Sequence, residues 1–89
     1  MILTLDVGNT QITGGLFEGD KLVLQFRSAT KANSSSDEIG IFLRSVLREN
    51  GFEWQKIQKI GICSVVPAIN YSLSSAIAKY FKKDSIFVQ

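Results

Sequence analysis

The hydrophobic pattern changes its period along this chain, and that change limits the folds the chain can adopt. Residues 11–17 and 21–27 alternate, as half-buried strands do, on either side of a tight-turn signal at residues 18–21. Farther along, apolar residues recur at intervals of three and four, which is typical of helices that bury one face. The predicted strands cover residues 2–6, 11–17, 21–27, 58–66 and 85–88, and the predicted helices lie between Ser35 and Gly51 and from Asn70 to Phe81.

The resulting order of elements, β-β-β-α-β-α-β, predicts an α/β fold with a mixed five-stranded sheet in the strand order 3-2-1-4-5. A helix between two strands implies a parallel, right-handed crossover, so the last two strands should run parallel to the first. Three antiparallel strands followed by two crossovers form the ribonuclease H-like arrangement, which actin-like ATPase domains share. The 89 residues are enough for one such domain.

The ends of the helices carry recognisable signals. Ser35 and Glu38 fit a capping box, and Gly51 is expected to end the first helix. Because Pro67 ends the strand before it, Asn70 is the expected N-cap of the second helix. The aromatic residues expected in the core from their spacing, or as a packing plug in the case of the tryptophan, are Phe17, Phe26, Phe42, Phe81, Phe87 and Trp54.

Composition excludes several classes of function. The net charge is +2, and no basic stripe with interleaved aromatic residues suggests nucleic-acid binding. Apolar runs are too short for a membrane span. The only cysteine, Cys63, cannot form an internal disulfide, which fits a reducing cytoplasm, and its strand position predicts a small core residue. Without histidine, any chemistry must rest on carboxylates, hydroxyls, backbone amides and a bound metal.

The strongest local signal is the segment Asp6-Val7-Gly8-Asn9-Thr10, which follows the first predicted strand. Asp6 should emerge at the carboxyl edge of the sheet, where open sheets with parallel strands bind ligands. Gly8 lets the backbone approach an anion, and the amides of residues 8–10 can donate to phosphate oxygens. Asp6 is then a candidate ligand of Mg²⁺, through water. The alternative is a simple β-turn in which the aspartate caps its own backbone.

Five strings in this order resemble type III pantothenate kinases, which belong to the acetate kinase, Hsp70 and actin superfamily. The resemblance spans the whole chain, and the combination of its first and last strings is the specific part. The strings are Asp6-Val7-Gly8-Asn9-Thr10, Gly15-Leu16-Phe17 with Gly19-Asp20, Arg27 with Thr30, Asp37-Glu38-Ile39-Gly40, and Ser64-Val65-Val66-Pro67.

The resemblance implies a specific activity. Enzymes of this family phosphorylate pantothenate from ATP, the first step of coenzyme A synthesis, and need Mg²⁺ and a monovalent cation, K⁺ or NH₄⁺. They are homodimers of chains with two ribonuclease H-like domains, so residues 1–89 would be the N-terminal domain. The positions that inherit contacts with the ATP phosphates are Asp6, Val7, Gly8, Asn9, Thr10, Gln11, Ile12 and Thr13.

The same resemblance locates what this chain lacks. The family's catalytic aspartate would lie beyond residue 89, so no catalytic residue is expected here and the chain alone should be inactive. The pantothenate pocket and the cation site would also lie mostly beyond it. The segment Ser64–Pro67 should sit on the same sheet edge as Asp6, because it follows a parallel strand.

Two other functions remain open at this point. One is a non-catalytic nucleotide-binding or regulatory module of the same fold. The other is a ribonuclease H-like nuclease, which needs several carboxylates on two metal ions. Asp6 is one such carboxylate and Glu38 a possible second, although Glu38 and Asp37 also read as an acidic helix start. Arg27 is either a phosphate or partner contact or a solvated strand-end side chain.

Overall fold

A single mixed sheet of five strands organises the fold. The structure is a computed structural model that describes residues 1–88. Its elements are β1 (Ile2–Val7), β2 (Gln11–Glu18), β3 (Lys21–Ala29), α1 (Ser36–Glu49), a 3₁₀ turn at Trp54–Lys56, β4 (Lys59–Ser64), α2 (Pro67–Phe81) and β5 (Ser85–Phe87). The sheet order is β3-β2-β1-β4-β5, with β1 antiparallel to β2 and parallel to β4. The predicted order and topology are confirmed.

Both helices pack on one face of the sheet, and the core lies between them and that face. Leu3, Leu5 and Val7 of β1 are buried there with Ile60 and Ile62 of β4. Alternate residues point the other way. Ile2, Leu22 and Ile86 are 41%, 45% and 52% exposed, so we call this side the open face. No helix within residues 1–88 is long and apolar enough to cross a membrane.

The start of α1 is as predicted. The Ser35 hydroxyl accepts a hydrogen bond from the Glu38 N–H at 3.1 Å, and the Glu38 carboxylate accepts one from the Ser35 N–H at 2.9 Å. Gly51 follows the C-cap residue with a φ of +83°, a conformation that glycine adopts without strain. The capping box therefore fixes where α1 begins, and Gly51 allows the chain to turn away after it.

The start of α2 differs from the prediction. Asn70 does not cap this helix: α2 begins at Pro67, and Val66 occupies the N-cap position without a side-chain cap. Proline suits the first helical position because its φ is already helical and its missing N–H is not needed there. The earlier start also places Ile69 inside the core, where it is fully buried.

Strand limits and burial correct four further predictions. Strand β4 ends at Ser64 rather than at residue 66, because the Ser64 hydroxyl accepts the Val66 N–H and turns the chain into α2. Cys63 is exposed rather than a core residue, since it lies on the open face. Phe17 is only half-buried, on the same face, and Phe87 on the edge strand is 38% exposed, whereas Phe81 is buried as expected.

Helices α1 and α2 meet at a close contact between Gly40 and Tyr80. A Cβ atom on Gly40 would overlap the Tyr80 ring, so the glycine is what lets the ring lie against α1. The Tyr80 hydroxyl donates to the Asp37 carboxylate at 2.8 Å, and the Lys79 ammonium donates to the same oxygen at 2.7 Å. The first turn of α1 is thus tied to the last turn of α2. Trp54 packs beside this interface, edge-on to Phe81 at 6.3 Å, as the expected plug.

Asp37→Asn is expected to reduce the stability of the protein at neutral pH. The stability of the variant should also fall less than that of the wild type when the pH is lowered. The hydrogen bonds from Lys79 and Tyr80 lower the pKa of Asp37 from its ordinary 3.8. Because the pKa of Asp37 is lower in the folded state, the ionised carboxylate stabilises the fold above pH 3.8. This stabilisation disappears as the pH falls through the pKa of the folded state. Urea unfolding at about pH 7 and about pH 2 measures the effect. Asp84→Asn is the control, and an equal acid response in both variants would contradict the prediction.

Candidate functional site

A row of polar side chains crosses the open face near the carboxyl end of β1. Asp6 pairs with Thr13 on β2 and with Cys63 on β4, and Thr13 in turn pairs with Arg27 on β3. Asp6 lies on this face because its neighbours Leu5 and Val7 both point into the core. Asp6 is exposed, and within residues 1–88 its carboxylate forms neither a salt bridge nor a side-chain hydrogen bond. The carboxylate is therefore available to a ligand.

The loop that follows β1 is held in a defined shape by backbone bonds. The Gly8 N–H donates to the Gln11 carbonyl at 2.9 Å, which closes the turn between β1 and β2. The Gly8 carbonyl accepts from the Thr30 hydroxyl at 2.7 Å, and the Thr10 carbonyl accepts from the Thr30 N–H at 3.0 Å. We call residues 8–10 the turn loop. Its hydrogen-bonded groups are tied to β2 and to the end of β3.

Two amides of the turn loop remain available. Neither the Asn9 N–H nor the Thr10 N–H donates to an acceptor among residues 1–88. Both residues are exposed, so these donors and the two polar side chains can reach a ligand. The Gly8 amide, in contrast, is already used by Gln11, which narrows the predicted set of three donating amides to two. An anion with several oxygens matches such a pair of N–H groups.

Gly8 has a role in the turn itself, in addition to the predicted one. Within residues 1–88, only Gly19, Gly51 and Lys82 have positive φ, so Gly8 does not need the left-handed region. A Cβ atom on Gly8 would instead lie 3.2 Å from the Gln11 carbonyl oxygen, closer than such contacts normally come. The glycine therefore permits the tight return of the chain between β1 and β2. Whether it also admits an anion is a prediction that the geometry does not test.

The remaining members of the predicted segment 6–13 face two ways. Val7 is buried in the core, and Ile12 packs against that core, so each can offer a ligand only its backbone. Gln11 is exposed, and Thr13 is half-buried beside Asp6 on the open face. The structure therefore brings together the side chains of Asp6 and Thr13 and places the turn loop next to them in the chain.

The segment Ser64–Pro67 lies at the same edge of the sheet as Asp6. The Val65 N–H donates to the Val7 carbonyl at 3.0 Å, which continues the β1–β4 pairing beyond Ser64. The start of α2 at Pro67 follows directly. The expected proximity of this segment to the end of β1 is confirmed.

Glu38 does not join Asp6. Glu38 belongs to α1, on the helix side of the sheet, and its carboxylate is occupied by the Ser35 N–H. A cavity of about 250 Å³ lies on that helix side, lined in part by Leu5, Lys31 and Glu38. Because Asp6 lies on the opposite face, this cavity and the Asp6 row are separate features. The pairing of carboxylates that a two-metal nuclease requires is not formed by these two residues.

The donor set at Asp6 fits one kind of metal site. Residues 1–88 contain no group of three or more His, Cys, Asp and Glu side chains that could hold a metal ion alone. Mg²⁺ is often held by one or two carboxylates together with water and substrate phosphates. Asp6, exposed and free of a salt bridge within the described chain, suits that mode of binding.

Thr30 is the residue at this site whose contacts sequence reasoning missed. Its position among the matching strings was visible, but its contacts with Gly8 and Thr10 were not. The signal that could have revealed these contacts is the register of the β2–β3 hairpin. Gln11 pairs with Ala29, the last residue of β3, so Thr30, which follows the strand, lies across from Thr10.

Comparison with known protein families gives one consistent match. A family model described as type III pantothenate kinase matches residues 2–89. A type III pantothenate kinase from Legionella pneumophila is 56% identical over 89 residues, which is 100% of this chain and 34% of that protein. One from Elusimicrobium minutum is 58% identical over 80 residues, covering 90% of this chain and 31% of that protein. The chain thus spans about a third of the length of the curated relatives it matches.

Solved structures share the fold. A protein from Porphyromonas gingivalis assigned as an N-acetylglucosamine kinase superposes with a TM-score of 0.70 and 26% identity, covering 99% of this chain and 33% of that one. A ROK hexokinase from Thermus thermophilus superposes with a TM-score of 0.71 and 15% identity, covering 98% and 34%. These likenesses confirm the ribonuclease H-like arrangement of the sheet and helices.

Proposed function

Because the chain belongs to the type III pantothenate kinase family, we propose that it supplies the ATP-phosphate-binding part of a kinase that phosphorylates pantothenate in coenzyme A synthesis. One observation carries the proposal for the site. The exposed Asp6 carboxylate lies at the end of β1, and it adjoins the N–H groups of Asn9 and Thr10, which have no acceptor within residues 1–88. A carboxylate for a cation beside donors for an anion is the arrangement that a metal–nucleotide complex requires.

Each group in the segment 6–13 has a role in this proposal. The N–H groups of Asn9 and Thr10, with their side chains, donate hydrogen bonds to phosphate oxygens. Gly8 allows the turn, Val7 and Ile12 anchor its two ends in the core, and Gln11 and Thr13 flank the phosphates. Asp6 holds Mg²⁺ through water. When bound, this ion supplies positive charge that offsets the charge of the transferring phosphoryl group.

The remaining parts of the reaction belong to the rest of the protein in this proposal. The relatives are about three times as long as this chain. Residues 1–89 would form the N-terminal one of two ribonuclease H-like domains. The catalytic aspartate, most of the pantothenate pocket and the site for K⁺ or NH₄⁺ would follow residue 89. The full-length enzyme would be a cytoplasmic homodimer. Exposed apolar residues on the open face, such as Ile2 and Ile86, are consistent with further protein packing there.

The isolated 89-residue chain is expected to show no pantothenate kinase activity, whereas the full-length enzyme should phosphorylate pantothenate with Mg·ATP. The reason is that the catalytic aspartate of this proposal follows residue 89, whereas the Glu38 carboxylate lies on the helix side of the sheet, away from Asp6. A coupled assay that follows ADP release tests both proteins. Turnover by the chain alone would show that the base lies within it. Mg·ATP binding by a full-length protein that turns over no pantothenate would instead favour a non-catalytic nucleotide-binding module.

Gly8→Val is expected to weaken Mg·ATP binding more than Thr10→Ala. A branched side chain at Gly8 would press on the Gln11 carbonyl, 3.2 Å from the Cβ position, and distort the turn that presents the Asn9 and Thr10 N–H groups. Thr10→Ala removes one hydroxyl donor, worth roughly 1.5–3 kcal/mol toward a charged phosphate, and leaves the amides in place. Calorimetric titration of the full-length variants makes the comparison, with circular dichroism as the check on folding. Tighter binding by the valine variant than by the alanine variant would refute the amide-based site.

A further inference from the structure

Thr30 holds the turn loop with two groups at once. Its hydroxyl donates to the Gly8 carbonyl oxygen at 2.7 Å, and its backbone N–H donates to the Thr10 carbonyl oxygen at 3.0 Å. We propose that Thr30 is a positioning residue, which keeps the turn loop in the conformation that receives the phosphates of ATP. This inference rests on the function proposed for the loop and adds to it a residue outside the segment 6–13.

The carbonyls that Thr30 holds determine where the neighbouring N–H groups point. In a planar trans peptide, the carbonyl of one residue and the N–H of the next point in opposite directions. All peptide bonds among residues 1–88 are trans. Because the Gly8 carbonyl points toward the Thr30 hydroxyl, the Asn9 N–H in the same peptide points away from Thr30. The hydroxyl thereby sets the direction of one of the two donors left without an acceptor in the described chain.

The hydroxyl makes a contribution that the backbone cannot replace. The bond from the Thr30 N–H extends the β2–β3 pairing, so any residue other than proline would keep it. The Gly8 carbonyl, however, accepts a hydrogen bond from no other donor within residues 1–88. Without the hydroxyl, the peptide between Gly8 and Asn9 is free to rotate, since glycine imposes little restriction. Rotation would turn a carbonyl oxygen toward the phosphate in place of an N–H.

Thr30→Val tests this inference in the full-length enzyme, because valine keeps the shape and the backbone N–H and removes only the hydroxyl. We expect the KM for ATP and the Kd for Mg·ATP to rise about tenfold. The KM for pantothenate should stay within about twofold, and Thr30→Ser should restore most of the ATP affinity because it restores the donor. A merely structural role would lower the melting temperature without this selective change or this rescue.

Thr4→Val is the matched control. The Thr4 hydroxyl also donates to a glycine carbonyl, that of Gly15, at 3.2 Å, but within the sheet and away from the turn loop. This variant should keep the wild-type KM for ATP. A second readout needs no nucleotide: in Thr30→Val, the ¹³C resonance of the Gly8 carbonyl and the ¹⁵N–¹H resonance of Asn9 should both shift, while the resonances around Thr4 should not.

The outcomes separate this inference from the proposed function. A wild-type enzyme that binds Mg·ATP, together with a Thr30→Val variant that binds it equally well, overturns the role of Thr30 alone. A wild-type enzyme that does not bind Mg·ATP overturns the proposed function, and the positioning role with it. Equal loss of ATP affinity in Thr4→Val and Thr30→Val also counts against Thr30, since the effect would then belong to the sheet as a whole.

Discussion

Asp6→Asn in the full-length enzyme is expected to lower kcat by about 10²–10³-fold, which corresponds to roughly 3–4 kcal/mol of transition-state stabilisation. The proposed role of Asp6 is to hold Mg²⁺ beside the ATP phosphates, and asparagine lacks the negative charge that the ion requires. The fold should tolerate this change. Asp6 is exposed and, within residues 1–88, unpaired, so the free energy of unfolding should move by no more than about 0.5 kcal/mol.

The matched control for this experiment is Asp20→Asn. Asp20 is also an exposed aspartate, but it lies in the turn between β2 and β3, at the opposite end of β2 from the turn loop. It loses the same charge and should keep the wild-type kcat. Steady-state rates are measured across a range of Mg²⁺ concentrations, with urea unfolding to confirm stability. If Asp6→Asn reaches the wild-type rate at saturating Mg²⁺, Asp6 does not contribute to the metal site in the transition state.

The sheet could be predicted because two signals agreed along the whole chain. Alternating patterns in residues 11–17 and 21–27, with a turn between them, fix an antiparallel hairpin, and a helix between strands fixes a parallel crossover. The predicted position of Asp6 at the strand end followed from the cost of burying a charge. These inferences depend on local pattern and on connection rules, and neither requires knowledge of which side chains meet in space.

The start of α2 and the environment of Cys63 could not be predicted in this way. Asn70 is a good capping residue in general, but Pro67 begins a helix equally well, and burial of Ile69 favours the earlier start. Cys63 follows the buried Ile62 in a short apolar strand, and strand pattern alone does not reveal which sheet face the helices cover. The exposure of Phe17 has the same cause. These errors concern which surfaces become covered by other parts of the chain, and that depends on tertiary packing.

The details of the turn loop also lay beyond local pattern. The sequence suggested three donating amides, but the Gly8 amide closes the turn on Gln11. Of these three, the N–H groups of Asn9 and Thr10 have no acceptor within the described chain. The contact from Thr30 joins residues that are 22 positions apart. Long-range hydrogen bonds of this kind follow from register, and a single bulge shifts register by one residue. The β2–β3 pairing has such an irregularity, because Leu16 pairs with Leu24 and Phe17 with Leu22, which leaves an extra residue on β3.

Gly40→Ala is expected to destabilise the chain by about 2 kcal/mol, although alanine is the better helix former. In an open helical position the same change would stabilise by about 0.5–1 kcal/mol. Here the new methyl group would overlap the Tyr80 ring near its base, where the ring cannot move without leaving α1. Displacement of the ring would also break its hydrogen bond to Asp37. Either the helices separate or the ring loses its contact with α1. In both cases the free-energy cost exceeds the gain in helix propensity.

Tyr80→Ala provides the background in which the sign of the effect should reverse. Removal of the ring is itself destabilising, because Tyr80 packs against the core and its hydroxyl binds Asp37. In that background, however, a methyl group at Gly40 no longer meets the ring, and helix propensity should decide. Gly40→Ala should then stabilise the protein by about 0.5–1 kcal/mol. Urea unfolding of the four proteins in this double-mutant cycle gives the coupling directly. Equal destabilisation by Gly40→Ala in both backgrounds would mean that the glycine is required for something other than the approach of Tyr80.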